Sequence, residues 1–209
     1  SRAAGNAEMT DFSAFSLAGK RVVVTGANTG IGQGISVAIA KASGEVIGVG
    51  RSAMDETAAL VKAEAAAFTP VACDLSDHVA AAAMLDRVWE SAGPIDGLVN
   101  NAGVIRRADA VDFSEMDWDD VMDVNLKSVF FLCQAFAKKA LGAGRRGKIV
   151  NIASVLSFQG GIRVPSYTAS KHGLLGITRL LACEWAAKGI NVNAVAPGYV
   201  VTNNTAALR

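Results

Sequence analysis

Short apolar blocks alternate along this chain with longer stretches of helical period. Arg21-Val22-Val23-Val24-Thr25 is a β-branched run that stops at Gly26, the pattern of a strand buried on both faces. Comparable blocks recur at residues 46–50, 69–72, 95–99, 148–153 and 190–196. Between them the pattern predicts helices running up to Ser43 and over 54–67, 78–91 and 117–141, and one from the segment bearing Tyr167 to Lys188. The stretch 117–141 is the longest, with Val121, Val124, Leu126, Val129, Phe130, Leu132 and Phe136 as its apolar positions. Gly93-Pro94 breaks the chain after one helix and Gly189 stops another. Strand and helix alternate throughout, which predicts an α/β doubly wound parallel sheet of Rossmann type in three α/β/α layers. No linker, repeat or low-complexity block interrupts it. The expectation is a single dinucleotide-binding catalytic domain over 12–209, preceded by a loose polar tail over 1–11.

Composition narrows the class. Of 209 residues 51% are hydrophobic and 19% charged, which is globular and large enough for a substantial core. Net charge is +1 with no basic block, so nothing points to nucleic acid or an anionic membrane surface. No apolar run approaches the length of a membrane span, and the polar start lacks the core of a signal peptide. Cys73, Cys133 and Cys183 are odd in number and have no metal-like spacing. They read as buried free thiols of a reducing cytoplasm, with no metal site.

Candidate chemistry begins at the first strand's end. Thr25-Gly26-Ala27-Asn28-Thr29-Gly30-Ile31-Gly32 joins strand to helix, a geometry that sets backbone N–H groups and a helix N-terminus against a phosphate. A dinucleotide's ribose would lie at the end of the second strand. Gly50-Arg51-Ser52 there offers a guanidinium and a hydroxyl and no carboxylate, which favours NADP over NAD on charge. Asp74, after the third strand, has the chemistry either to accept from an adenine amino group or to cap the helix starting near Ser76. Asn100-Asn101-Ala102-Gly103 closes the fourth strand with side chains small enough for close backbone packing beside a ring. Asn125 stands inside an apolar helix, where its amide needs hydrogen-bond partners. Tyr167 and Lys171 are one helical turn apart, and an ammonium beside a phenol favours the phenolate, so the pair can move a proton. Pro165 suits the first turn of the helix that carries them.

Taken together, the Thr25–Gly32 turn, Asn100-Asn101-Ala102-Gly103, Asn125, Ser154 thirteen residues before Tyr167, Tyr167-x-x-x-Lys171 and Pro197-Gly198 resemble the motif set of the short-chain dehydrogenase/reductases, in order and spacing. The resemblance implies hydride transfer between NAD(P) and a CH–OH group. Tyr167 would be the acid/base, Lys171 would lower its pKa and hold the nicotinamide ribose, Ser154 would bind the reacting oxygen, and Asn125 would seat a water in a proton relay. It further implies cofactor contacts from Gly26, Asn28, Thr29, Gly30, Ile31, Arg51, Ser52, Asp74, Leu75, Asn101, Ala102, Gly103, Tyr167, Lys171, Pro197, Gly198, Val200 and Thr202.

Residues 105–109, 117–122 and 156–165 resemble the sugar-acid dehydrogenases of that family, those acting on 2-deoxy-gluconate, 2-keto-3-deoxy-gluconate or gluconate. Arg106, Arg107, Gln159 and Arg163, with Ser154 and Tyr167, would then meet the substrate's carboxylate and hydroxyls. NAD remains the alternative cofactor, because those relatives tend to use it. A 3-oxoacyl thioester reductase shares the catalytic set, and a non-catalytic dinucleotide sensor shares the fold without needing Ser154, Tyr167 and Lys171. The resemblance also implies a homotetramer, and a lid helix and a last strand beyond Arg209, absent from this chain.

Overall fold

A computed structural model of the chain describes residues 13–200. Six parallel strands form one sheet: β1 (Arg21–Thr25), β2 (Glu45–Gly50), β3 (Phe68–Ala72), β4 (Gly97–Asn100), β5 (Gly147–Ile152) and β6 (Ile190–Val195). Their order is β3-β2-β1-β4-β5-β6, so the chain reverses its direction of travel across the sheet between β1 and β4. That switch point opens a crevice at the strands' carboxyl ends, where ligands bind in sheets of this kind. The helices are α1 (Gly30–Lys41), α2 (Asp55–Ala63), α3 (His78–Ala92), α4 (Glu115–Met122), α5 (Ser128–Gly142) and α6 (Pro165–Trp185).

Two cores flank the sheet. One joins Val23, Ile47, Leu98 and Ile149 to Leu85, Leu132, Phe136 and Leu174 from α3, α5 and α6. The other sets Val22, Val24 and Val46 against Ile39 of α1 and Val61 of α2. Valines 22 to 24 alternate between the two cores, which is why β1 reads as an unbroken apolar run.

The predicted architecture is present, with corrections at two helices and at the cysteines. The helix expected over 54–67 ends at Ala63, because Ala65 turns left-handed at φ 58° and closes the turn early. The helix expected over 117–141 is two α-helices joined by a π-helical turn, Asp123–Lys127. That extra-wide turn contains Asn125, whose side chain bonds outward to another loop. The thiols are unpaired but not all buried: Cys133 is buried, Cys73 is half-buried and Cys183 is exposed. The outer face of α6 near Cys183 also carries the half-exposed Leu180, so this face is not packed within the chain. The tail over 1–11 and Thr202 lie outside the described residues.

Candidate active site

The crevice is a cleft of about 400 Å³ running over the carboxyl ends of the strands. Its first wall is the turn after β1. Gly26 has φ +66°, and a Cβ on Gly32 would stand 2.0 Å from the Gly26 carbonyl oxygen, so α1 reaches this close only with glycine there. Asn101 secures the turn from the other side, donating from Nδ2 to Thr25 O at 3.0 Å. The Thr25 hydroxyl in turn accepts from the Asn101 and Ala102 N–H groups, each at 3.0 Å. Cleft and backbone are thereby fixed before any ligand arrives.

At the end of β2, Arg51 and Ser52 both line the cleft, as does Asn28, which donates from Nδ2 to Ser52 Oγ at 3.1 Å. Arg51 faces Asp74 at 3.9 Å. Asp74 holds Ser76 through its N–H and hydroxyl, both at 2.9 Å, and these bonds pull its carboxyl below the usual carboxylate range. It does not cap the next helix. Asp77 does, accepting from the Val79 and Ala80 N–H groups.

The catalytic residues meet on the far side. Pro165 stands at the first turn of α6, as expected, and the helix presents Tyr167 and Lys171 to the cleft. Lys171 is 4% exposed; its Nζ donates to Ile152 O at 2.6 Å and lies 5.6 Å from the centre of the Tyr167 ring. Burial pulls its pKa down from 10.5 to about 8. Burial pushes the Tyr167 phenol up, and a hydrogen bond with Ser154 and the charge of Arg107 pull it back only in part. The Tyr-x-x-x-Lys spacing alone suggests the opposite direction. It is the enclosure of the phenol, which spacing does not encode, that reverses it. Ser154 ends β5's extension, its Oγ accepting from Leu156 N and its N–H donating to Ser157 Oγ, both at 3.2 Å. Asn125, 1% exposed, grips Val104 by both main-chain groups, accepting at 2.8 Å and donating at 2.9 Å, and donates to Ser170 at 3.3 Å. Both hydrogens of its amide are thus spent in joining the cleft loop to α6.

Every described residue expected to touch cofactor lines this one cleft, and Ser154 lines it too. The expected substrate residues divide. Ser154 and Tyr167 are in the cleft. Arg106 turns instead to Asp117 and Asp120, and Arg163 pairs with Asp109 at 3.0 Å on the surface. Gln159 is exposed outside the cleft. Of the arginines expected near the substrate, Arg107 is the one that lines the cleft, and the sequence offered it together with its neighbour Arg106. Adjacent residues share composition and motif, and only the loop's path distinguishes them.

The residues present fit a bound dinucleotide: a cradle that a Cβ would fill at Gly32, N–H groups at a helix start, and a buried cation beside a buried phenol. A switch-point crevice holding Ser154, Tyr167 and Lys171 defines a dinucleotide-dependent alcohol or ketone oxidoreductase. The chain belongs to the short-chain dehydrogenase family, whose sequence pattern matches residues 20–209. It is 56% identical over 197 residues to the 2-dehydro-3-deoxy-D-gluconate 5-dehydrogenase of Escherichia coli K12, covering 94% of this chain and 78% of that one. A crystal structure from Agrobacterium tumefaciens, provisionally named a 2-deoxy-D-gluconate 3-dehydrogenase and holding NADP, is 59% identical with a TM-score of 0.88. That likeness covers 93% of this chain and 77% of the other. A gluconate 5-dehydrogenase from Burkholderia cenocepacia, solved with NADP and tartrate, is 35% identical with a TM-score of 0.85 over 93% and 76% of the two chains.

Proposed function

We propose that this protein moves a hydride between NADP and a secondary alcohol or ketone of a sugar acid of the gluconate, 2-deoxy-gluconate or 2-keto-3-deoxy-gluconate type. The observation that carries the reading is that Ser154, Tyr167 and the buried Lys171 line one cleft, which Arg107 also lines. NADP supplies the hydride acceptor or donor when bound. Ser154 and Tyr167 converge on one oxygen of the substrate. A phenol kept protonated by burial donates to that oxygen in the reducing direction and stabilises the charge developing there. Lys171 brings a donor beneath the phenol, held in place by Ile152 O. Asn125 fixes the Val104 backbone along the cleft and connects it to α6. Arg51 and Ser52, with no carboxylate in the place where NAD enzymes carry one, support NADP. The sugar-acid names of the relatives agree with this choice of substrate.

Arg107 takes the substrate's carboxylate in this reading. Arg107→Ala then raises KM for sugar acids about tenfold or more and for uncharged ketones little, since a charge-assisted pair is lost only with the former. Equal effects on both contradict the assignment. Arg106→Ala, with its guanidinium committed to Asp117 and Asp120, has the smaller effect on either.

The three cysteines, none of them in a disulfide, support a cytoplasmic site of action. No helix among the described residues is long and apolar enough to cross a membrane. Trp118, Leu141 and Leu180 expose apolar area on α4, α5 and α6, which supports assembly of four copies. A light-scattering mass of four chains is the expected result, and a monomer at micromolar concentration contradicts it.

A further inference from the structure

We infer that Thr57, which lies outside the cleft, is a positioning residue for cofactor binding: its hydroxyl sets the orientation of the glycine turn that faces the dinucleotide's phosphates. This rests on the dinucleotide reading above. Thr57 is on α2 and is 0% exposed. Its Oγ1 donates to Ala27 O at 2.8 Å, with Asn28 O at 3.4 Å as a second, weaker acceptor. The same oxygen accepts from Gln33 Nε2 of α1 at 3.1 Å. One hydroxyl therefore ties two helices to the turn between β1 and α1, and its single hydrogen is spent on the turn's carbonyls.

The consequence follows from peptide geometry. A trans peptide points its C=O and the next residue's N–H in opposite directions, and no peptide bond described here is cis. Anchoring Ala27 O against α2 therefore turns the Asn28 N–H away from α2, and holding Asn28 O does the same for the Thr29 N–H. Asn28 and Thr29 both line the cleft; Thr57 does not. Their N–H groups are the ones a phosphate would use, and the Thr57 bonds to the turn's carbonyls bear on their direction. Ala27 is also 0% exposed, which leaves no water to replace the lost donor.

The same turn reaches the 2′-phosphate end of the site. Asn28 donates to Ser52 Oγ, so the Ser52 oxygen serves as acceptor there and its hydrogen is left to donate into the cleft beside Arg51. Thr57 thus steadies, through Asn28, both the pyrophosphate turn and the residue that distinguishes NADP from NAD.

The test compares Thr57→Val, which keeps the shape and loses the hydroxyl, with Thr57→Ser, which keeps the hydroxyl. Dissociation constants for NADPH and NADH are measured by fluorescence titration of the full chain without substrate, followed by steady-state kinetics. Thr57→Val is expected to weaken NADPH binding about tenfold, the effect of one buried carbonyl losing its partner. At saturating cofactor its kcat and its KM for sugar acid stay within about twofold, and Thr57→Ser stays within about twofold of the parent throughout. If Thr57→Val does not fold, Gln33→Met, which removes the donor to the same hydroxyl, weakens NADPH binding in the same direction by a smaller factor. Cofactor affinity unchanged in Thr57→Val, or equally weakened in Thr57→Val and Thr57→Ser, overturns the inference. A parent protein that prefers NADH corrects the cofactor assignment alone, since Thr57→Val would still weaken NADH. A parent that binds neither dinucleotide overturns the functional reading itself.

Discussion

Replacing Lys171 by Met should make the protein more stable while abolishing its activity. Lys171 is 4% exposed, and burial lowers its pKa from 10.5 to about 8. At ~1.4 kcal/mol per pH unit, that fall corresponds to about 3 kcal/mol of strain against the ammonium in the folded state. Methionine has similar length and carries no charge. It forfeits the bond to Ile152 O, a loss of about 1 kcal/mol. The net expectation is a gain of about 2 kcal/mol at pH 7, or about 4–8 °C in Tm for a chain of this size. The assay is thermal unfolding of parent and variant at equal chain concentration without cofactor, because assembly and ligand both shift Tm.

The pH dependence of that difference is a second check. Lys171 titrates near 8 when folded and near 10.5 when unfolded, so between those values the unfolded chain binds more protons. Parent stability therefore rises relative to Lys171→Met as pH climbs through that window, and the variant's advantage shrinks. Other groups are common to both proteins and cancel. A variant that melts lower at pH 7, with a gap independent of pH, would refute the reasoning. A confirmed gain would mean that Lys171 is kept at a cost to stability for what it does beside Tyr167.

Two further outcomes follow from the same cleft. Arg51→Ala should lower kcat/KM for NADP about tenfold while leaving NAD nearly unchanged, since its guanidinium is the cation at the β2 end of the cleft; equal losses for both cofactors count against that role. Because burial holds the Tyr167 phenol above its ordinary pKa, ketone reduction should stay flat across neutral pH and alcohol oxidation should climb with pH, read from initial rates in each direction. An oxidation rate that is already flat below pH 7 contradicts a raised phenol.

The fold was legible because buried parallel strands write themselves as apolar runs, and β1 starts and stops where Arg21–Thr25 predicts. The site's members were legible for a related reason: Gly26, Gly32, Tyr167 and Lys171 are demanded by local geometry, which spacing records. What spacing does not record is where long side chains go. Arg106 and Arg163 read as substrate cations, yet carboxylates brought close only by folding, Asp117, Asp120 and Asp109, claim them. Asp74 had two possible partners in sequence, and Asp77 turned out to be the cap. The π-helical turn at Asn125 was hidden because the apolar positions on either side still read as one helix. Thr57 carried no signal at all, since its partners are main-chain carbonyls thirty residues away in the sequence.

The central claim is that Tyr167, set by Ser154 and Lys171, moves the proton while NADP exchanges hydride with a sugar acid. The most direct test follows nicotinamide absorbance as the parent and Tyr167→Phe are offered NADPH with 5-keto and 3-keto sugar acids, and NADP with the corresponding alcohols. The account predicts turnover by the parent on at least one sugar acid. It predicts a fall of about a thousandfold or more in Tyr167→Phe, with NADPH affinity retained, since only the phenolic proton is removed. A parent that binds NADPH but turns over none of them, or a phenylalanine variant that keeps its rate, contradicts it.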